Sequence, residues 1–263
     1  MNNNETSYLK KYVWNILGGV ALAFISGGLY YKFFYKNEKS IFSEEQDDRI
    51  KKLKKELKRL NGIITIDMAI QIMSIANKVC DEMVKKDHPD IDERRRSVFN
   101  DKNEYFKLCR EYLECKEEAY NNSTLLVLNK FHLTMEDLQK VLSGLQPIEL
   151  EQKLYKCEEM EYDNSILKND KKVIIKAFVY FGEKFIEEMK QFIKESKSIR
   201  DQDLLMMMLM VLKLKVDDHV YFNYKVNEIQ LRYLLFKYDL YNEREVKDIL
   251  NKISKFDEMV NVR

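Results

Sequence analysis

Turn-forming residues are scarce in this chain of 263 residues, which has two prolines and seven glycines. Sheet proteins place turn residues every few positions, whereas long segments without Pro or Gly are typical of helices. Hydrophobic residues make up 45% of the chain, a fraction typical of folded proteins rather than disordered ones. The sequence therefore predicts an all-α protein.

Excess charge of either sign is also lacking, because 45 basic side chains face 44 acidic ones. A net charge of +1 creates no global field that would attract a polyanion. We therefore expect no nucleic-acid partner.

Recognisable catalytic and cofactor motifs are missing as well. The sequence has no phosphate-binding glycine loop and no nucleophile elbow, and its three histidines are too dispersed for a zinc helix. The four cysteines match no zinc or redox spacing, and we interpret them as reduced, mostly buried thiols. The densest ligand-like group, Asp217, Asp218 and His219, is interpreted as the acidic first turn of a helix. We expect no enzyme, no cofactor, no metal site and no small-molecule substrate.

One long apolar run occupies residues 13–31, which contain no charged side chain. Nineteen helical residues span about 28 Å, close to the thickness of a hydrocarbon core. Aromatic residues suited to the membrane interface flank the run: Tyr12, Trp14, Tyr30 and Tyr31. The sequence predicts an amino-terminal tail and single-pass transmembrane anchor over 1–36, with a cleaved signal peptide as the alternative.

Small residues recur every four positions in this run, at Gly19, Ala23 and Gly27. They share one helix face and would allow close approach of another membrane helix, although small residues are common in membrane helices in general. Basic residues are more numerous after the run than before it. The positive-inside rule then places the carboxyl-terminal body on the cytosolic or matrix side.

A basic amphipathic helix is predicted over 43–61. Ser43 and Gln46 have the spacing of a capping box, and apolar residues repeat every three or four positions from Ile50. Its basic residues occupy the other faces: Lys51, Lys52, Lys54, Lys55, Lys58 and Arg59. The helix could pack on its own domain, bind anionic lipid or contact a partner subunit.

An apolar span followed by a positive amphipathic helix, here residues 12–60, is similar to internal targeting signals of some mitochondrial inner-membrane proteins. This resemblance implies a mitochondrial inner-membrane location with the body in the matrix. The alternative is the endoplasmic reticulum or another membrane, with a cytosolic body.

The remaining chain contains a candidate internal duplication. Residues 77–83 align with 183–189, and residues 130–136 align with 237–243 at nearly the same offset. We predict helical subdomains over 63–145 and 170–257, joined by a charged linker helix over 146–169. Helix N-caps are predicted at Thr134 and Asn242. Chance similarity between amphipathic helices is the alternative.

Residues 204–212 read LLMMMLMVL, which is too short to cross a membrane. Such a segment fits a domain core, or a Met-rich groove for a partner helix. Together these features predict a non-catalytic structural or accessory subunit of a membrane complex, with other subunits and membrane lipid as partners. A mitochondrial respiratory complex is the expected setting. A membrane-anchored tether or adaptor, recruiting soluble partners or anionic lipid, is the alternative.

Overall fold

A computed structural model describes residues 42–157, 160, 162–196 and 199–261. Every regular element in these ranges is a helix, and no strand occurs there, so the predicted all-α class is confirmed for this part of the chain. None of the described helices combines the length and the apolar character needed to cross a membrane. The predicted anchor 13–31 and its residues Tyr12, Trp14, Gly19, Ala23, Gly27, Tyr30 and Tyr31 lie outside the described residues.

Ten helices follow one another along the described chain. They are α1 (Glu44–Arg59), α2 (Ile66–Asp87), α3 (Ile91–Ser97), α4 (Lys102–Phe131), α5 (Met135–Leu142), α6 (Pro147–Cys157), α7 (Lys171–Ser196), α8 (Gln202–Tyr224), α9 (Glu228–Lys237) and α10 (Arg244–Asn261).

The described residues form two compact units. The first unit consists of 42–94 and 111–157, and the second of 95–110 with the described residues from 160 to 261. These ranges differ from the predicted subdomains 63–145 and 170–257, because residues 95–110 belong with the carboxyl-terminal helices. The internal duplication stays a hypothesis.

Helix α2 is the centre of the first unit. Its residues from Met68 to Ala76 are almost all buried, and it packs against α5 and α6. Helix α1 lies against it as well, since Gln46 Nε2 donates to Glu82 Oε1 at 3.0 Å. The predicted linker 146–169 therefore includes a helix, α6, that packs inside this unit through Leu150 and Leu154.

Helix α7 is the centre of the second unit and packs against α8, α9 and α10. Helices α7 and α10 approach each other closely at Gly182, where an added Cβ atom would lie 2.2 Å from Ile249 Cγ1 of α10. Phe178, Phe181 and Phe185 fill the core on the same helix. The small residue thus allows α10 to rest directly on the backbone of α7.

Several helix ends agree with the sequence predictions. Ser43 and Gln46 form the predicted capping box of α1, and Thr134 caps α5 together with Asp137. The N-cap predicted at Asn242 is wrong by one residue. Helix α10 begins at Arg244, and the Glu243 carbonyl accepts from the Lys247 amide at 3.0 Å.

Candidate interaction surfaces

The basic face of α1 consists of Lys51, Lys52, Lys54, Lys55, Lys58 and Arg59, and all six side chains are exposed. The opposite side of the helix is anchored in the first unit by Ile50 and Leu53, which are buried. Arg49 also donates to the Ser74 hydroxyl at 3.1 Å. The apolar stripe therefore serves packing within the unit, and the basic face is left at the surface.

Charge along α1 is strongly asymmetric. Its first turn carries Glu44, Glu45 and Asp47, which suit the positive end of the helix dipole. Lys51 pairs with Asp48 at 2.9 Å, whereas Arg59 lies 3.8 Å from Glu56. Four lysines form no ion pair with a carboxylate of the described ranges: Lys52, Lys54, Lys55 and Lys58. The carboxyl-terminal half of α1 is thus a concentrated positive surface.

The Met-rich surface consists of Leu204, Leu205, Met206, Met207, Met208 and Met210 in the first half of α8. Leu204 and Met210 are 41% and 42% exposed, and the other four are half-buried. Only Leu209, Val211 and Leu212 of the apolar run are buried. The interpretation of 204–212 as a core segment therefore holds for Leu209, Val211 and Leu212 and not for residues 204–208. Over residues 204–208, helix α8 is apolar on all faces but is only partly covered by other residues.

A buried ionic cluster joins three helices of the second unit. Asp218 of α8 is 0% exposed, and its Oδ1 lies 3.0 Å from Arg95 Nη2 and 3.0 Å from Arg96 Nε. Its Oδ2 accepts from the Tyr105 hydroxyl at 2.8 Å. Burial, and then the charge of Asp218, raise the pKa of Tyr105, which keeps this phenol protonated as a donor. Asp218 and Arg95 are closed off from solvent, so the cluster fastens the segment from Arg95 to Tyr105 to α8.

Aromatic side chains cover this cluster. Phe99 makes edge-to-face contacts with Tyr105, His219 and Phe222, at centroid distances of 5.2, 4.8 and 5.2 Å. The Arg96 guanidinium lies 3.5 Å above the Tyr221 ring. Rings and guanidinium together remove the ionic groups from water, which strengthens their attraction.

A second acidic group follows directly on α8. Asp217 Oδ1 accepts from the Glu228 amide at 2.8 Å, and burial together with the Glu228 charge raises the pKa of Asp217 to about 7. Glu228 itself contacts Arg232 at 2.8 Å and Lys213 at 3.5 Å. The interpretation of 217–219 as the first turn of a helix is wrong, because α8 runs from Gln202 to Tyr224 through these residues.

The cysteines are free thiols. Burial raises the pKa of both Cys80 and Cys109 to about 11, so these thiols stay protonated and unreactive at neutral pH. Cys115 Sγ lies 3.2 Å from His88 Nε2, and burial followed by the Glu111 charge raises its pKa as well. A raised thiol pKa does not favour a thiolate nucleophile at this pair.

Concave sites with converging polar groups are the usual places for small ligands. A shallow depression runs along α7, but all of its lining residues come from one helix face: Glu183, Ile186, Glu187, Lys190, Gln191 and Lys194. Within the described part of the chain, no three His, Cys, Asp or Glu side chains are grouped so that they could hold a metal ion. The exposed basic face and the Met-rich surface are therefore the stronger candidates for function.

Comparison of the chain with protein-family models, with curated proteins and with solved structures found no match. The candidate surfaces are therefore interpreted from their own geometry and chemistry.

Proposed function

We propose that this chain is a non-catalytic accessory subunit of a membrane complex, anchored by residues 13–31, whose helical body binds another protein through the Met-rich surface. The observation that carries this proposal is the exposure of Leu204 and Met210 within a half-buried apolar run. Exposure of large apolar side chains within such a run favours a protein contact. Methionine side chains adapt to the shape of an apolar helix face, so an amphipathic helix is the partner that fits best.

The absence of catalysis is part of this proposal. The ionisable groups that gather in the second unit are enclosed around Asp218 and Arg95, which are 0% and 2% exposed in their side chains. Such burial supports a role in stability, because a catalytic group must reach its substrate. The proposed subunit binds no cofactor, no nucleic acid and no small-molecule substrate.

The membrane part of the proposal rests on the uncharged run 13–31 and its flanking aromatic residues. The similarity of residues 12–60 to internal targeting signals favours the mitochondrial inner membrane, with the body in the matrix and a respiratory complex as the setting. A location in the endoplasmic reticulum or another membrane, with a cytosolic body, is the alternative. Alkaline extraction and protease protection of isolated organelles distinguish these locations.

The test is extraction of the full chain in mild detergent, followed by native sizing and mass spectrometry. We expect the chain to co-migrate with a membrane assembly. The double variant Leu204→Gln with Met210→Gln should release it, because polar side chains remove the apolar contact. Ile166→Gln is the matched control, since Ile166 is also an exposed apolar residue of the second unit but lies outside the Met-rich surface.

Two results would contradict the proposal. One is a lone species of 31.7 kDa under the mildest extraction. The other is equal co-migration of the double variant and the control. Replacement of Gly19, Ala23 and Gly27 by leucine tests the membrane helix separately, because larger side chains would block its close approach to another helix.

A tether or adaptor is the second candidate function, and the exposed basic face of α1 favours it. In that case the anchor fixes the chain in the membrane while the body recruits a soluble protein or contacts anionic lipid. The two candidates differ in extraction behaviour: a tether leaves the membrane as a monomer, and its partner joins it reversibly.

A further inference from the structure

The turn after α1 presents an apolar side chain, Ile63, to solvent. Asn61 and Gly62 have φ values of 53° and 83°, and the amides of Asn61, Gly62 and Ile63 donate to carbonyls in the last turn at 2.9 to 3.1 Å. This left-handed ending reverses the chain and satisfies its backbone groups. Ile63 then projects outward and is 68% exposed.

Basic residues precede this isoleucine in the chain. Residues 52–59 contain four lysines and one arginine against a single acid, Glu56. Lys58 and Arg59 lie in the last turn of α1, directly before the reversal that exposes Ile63. Apart from Glu56, the acidic residues of α1 lie in its first half: Glu44, Glu45, Asp47 and Asp48. An exposed isoleucine that follows a run of exposed basic side chains is complementary to a surface with anionic headgroups above acyl chains.

The position of α1 in the chain brings the turn at residues 61–63, which we call the tip, within reach of a bilayer. Eleven residues separate the apolar run 13–31 from Ser43 and its helix, and they span at most about 40 Å when extended. Helix α1 adds about 24 Å from its first residue to its last. If residues 13–31 anchor the chain, as the proposed function requires, the tip is tethered near the membrane at high effective concentration, where a weak contact suffices.

We propose that the end of α1 and the following turn bind an anionic lipid surface, with Ile63 inserted among the headgroups and the neighbouring basic side chains on the phosphates. A protein partner fits this site less well. A stable protein interface buries about 1,200 Å² or more, and Ile63 together with the smaller exposed part of Ile66 offers little apolar area. A tethered lipid contact needs only the charges and the inserted side chain.

The test uses tryptophan fluorescence of the full chain in lipid nanodiscs that contain brominated acyl chains, which quench nearby indoles. Trp14 is the only tryptophan of the chain, so it reports on the anchor alone. In the variant Trp14→Phe with Ile63→Trp, the new indole reports on the tip. We expect the fluorescence of this indole to shift to shorter wavelength and to be quenched in discs that contain phosphatidylserine. In neutral discs we expect no quenching.

Charge variants test the role of the lysines. Each basic residue near an anionic surface corresponds to about a fivefold change in binding. The triple variant Lys52→Gln, Lys55→Gln and Lys58→Gln should therefore weaken the tip contact roughly a hundredfold, and raising the salt from about 0.1 M to about 1 M should weaken it as well. The matched controls lie in the second unit and should have no effect on the tip: Lys171→Gln, Lys172→Gln and Lys176→Gln.

The outcomes separate this inference from the proposed function. Quenching of Trp14 without quenching at position 63 overturns the lipid contact and leaves the anchor intact. Absence of quenching at both positions overturns the anchor and the inference together. Equal quenching at position 63 in neutral and anionic discs, or protection of that indole only by an added protein, also overturns the anionic-lipid site. Ile166→Trp in the Trp14→Phe background is the control for unspecific insertion, and we expect no quenching there.

Discussion

Replacement of Gly182 by alanine tests the packing of α10 on α7. The added Cβ would lie 2.2 Å from Ile249 Cγ1, 2.9 Å from Ile249 Cδ1 and 3.3 Å from Ile253 Cδ1. Apolar carbons pack at about 3.5 to 4.0 Å, so α10 must move away by more than about 1 Å or Ile249 must leave its rotamer. Overpacking of this size costs about 3 kcal/mol, and the better helix propensity of alanine returns about 1 kcal/mol. We expect a net loss of about 2 kcal/mol.

The assay is hydrogen exchange followed by mass spectrometry on the full chain in mild detergent. A loss of about 2 kcal/mol corresponds to roughly thirtyfold faster exchange in peptides of α7 and α10. Amides of α2 are the internal control, because α2 belongs to the first unit. Gly144→Ala is the matched variant, since a Cβ there would have no atom within 4 Å and its φ is not positive. It should change the exchange rates little.

A double-mutant cycle identifies the steric cause. Ile249→Ala alone should cost about 2 to 5 kcal/mol, because the buried side chain leaves a cavity. It also removes both of the Ile249 atoms that the new Cβ would strike. In that background Gly182→Ala should become neutral or stabilising by up to about 1 kcal/mol. The reasoning is refuted if Gly182→Ala has the same effect in both backgrounds, or if it stabilises the original chain.

Two further predictions concern Asp217 and Asp218 of α8. Asp218→Asn should lower the free energy of unfolding in urea by about 3 to 5 kcal/mol, because two guanidinium groups lose their buried counter-ion. The control Asp248→Asn removes only an exposed ion pair with Arg244 at 3.7 Å and should cost less than about 1 kcal/mol. Equal losses in the two variants would contradict the role of the cluster. The pKa of Asp217 is raised from 3.8 to about 7, so its contribution to folded-state stability is complete below about pH 4 and is lost as the pH rises to about 7. Asp217→Asn keeps the oxygen that accepts from the Glu228 amide but cannot ionise. In urea unfolding, this variant should lose less stability than the original chain between pH 4 and 7. An unchanged pH profile would contradict the raised pKa of Asp217.

Local features of the fold could be predicted from the sequence. The capping box of Ser43 and Gln46 is made by residues three positions apart, and so is the cap of Thr134 and Asp137. The exposure of the basic face likewise follows from the apolar stripe that includes Ile50 and Leu53, which places the lysines opposite the buried side. These features depend on neighbours within about one helical turn, so the order of residues was sufficient.

The acidic pair Asp217 and Asp218 shows where such reasoning failed. Asp217 and Asp218 have the composition of a helix start, yet they lie deep within α8. Their environment depends on remote residues: Tyr105 is 113 positions away from Asp218. No local pattern marks Arg95 as the partner of Asp218 within the run of three arginines. The Met-rich run was difficult for the same reason, because its composition does not determine which of its faces packs against another part of the chain.

The sequence by itself determined the helical class, the N-terminal caps of α1 and α5 and the position of the basic face of α1, because caps and periodicity act over three or four residues. Only the tertiary structure decided that Asp218 is an enclosed counter-ion, that Leu204 and Met210 stay at the surface, and that residues 95–110 belong with the carboxyl-terminal helices. Burial is set by what packs against a residue, and those contacts come from parts of the chain that are far apart in sequence.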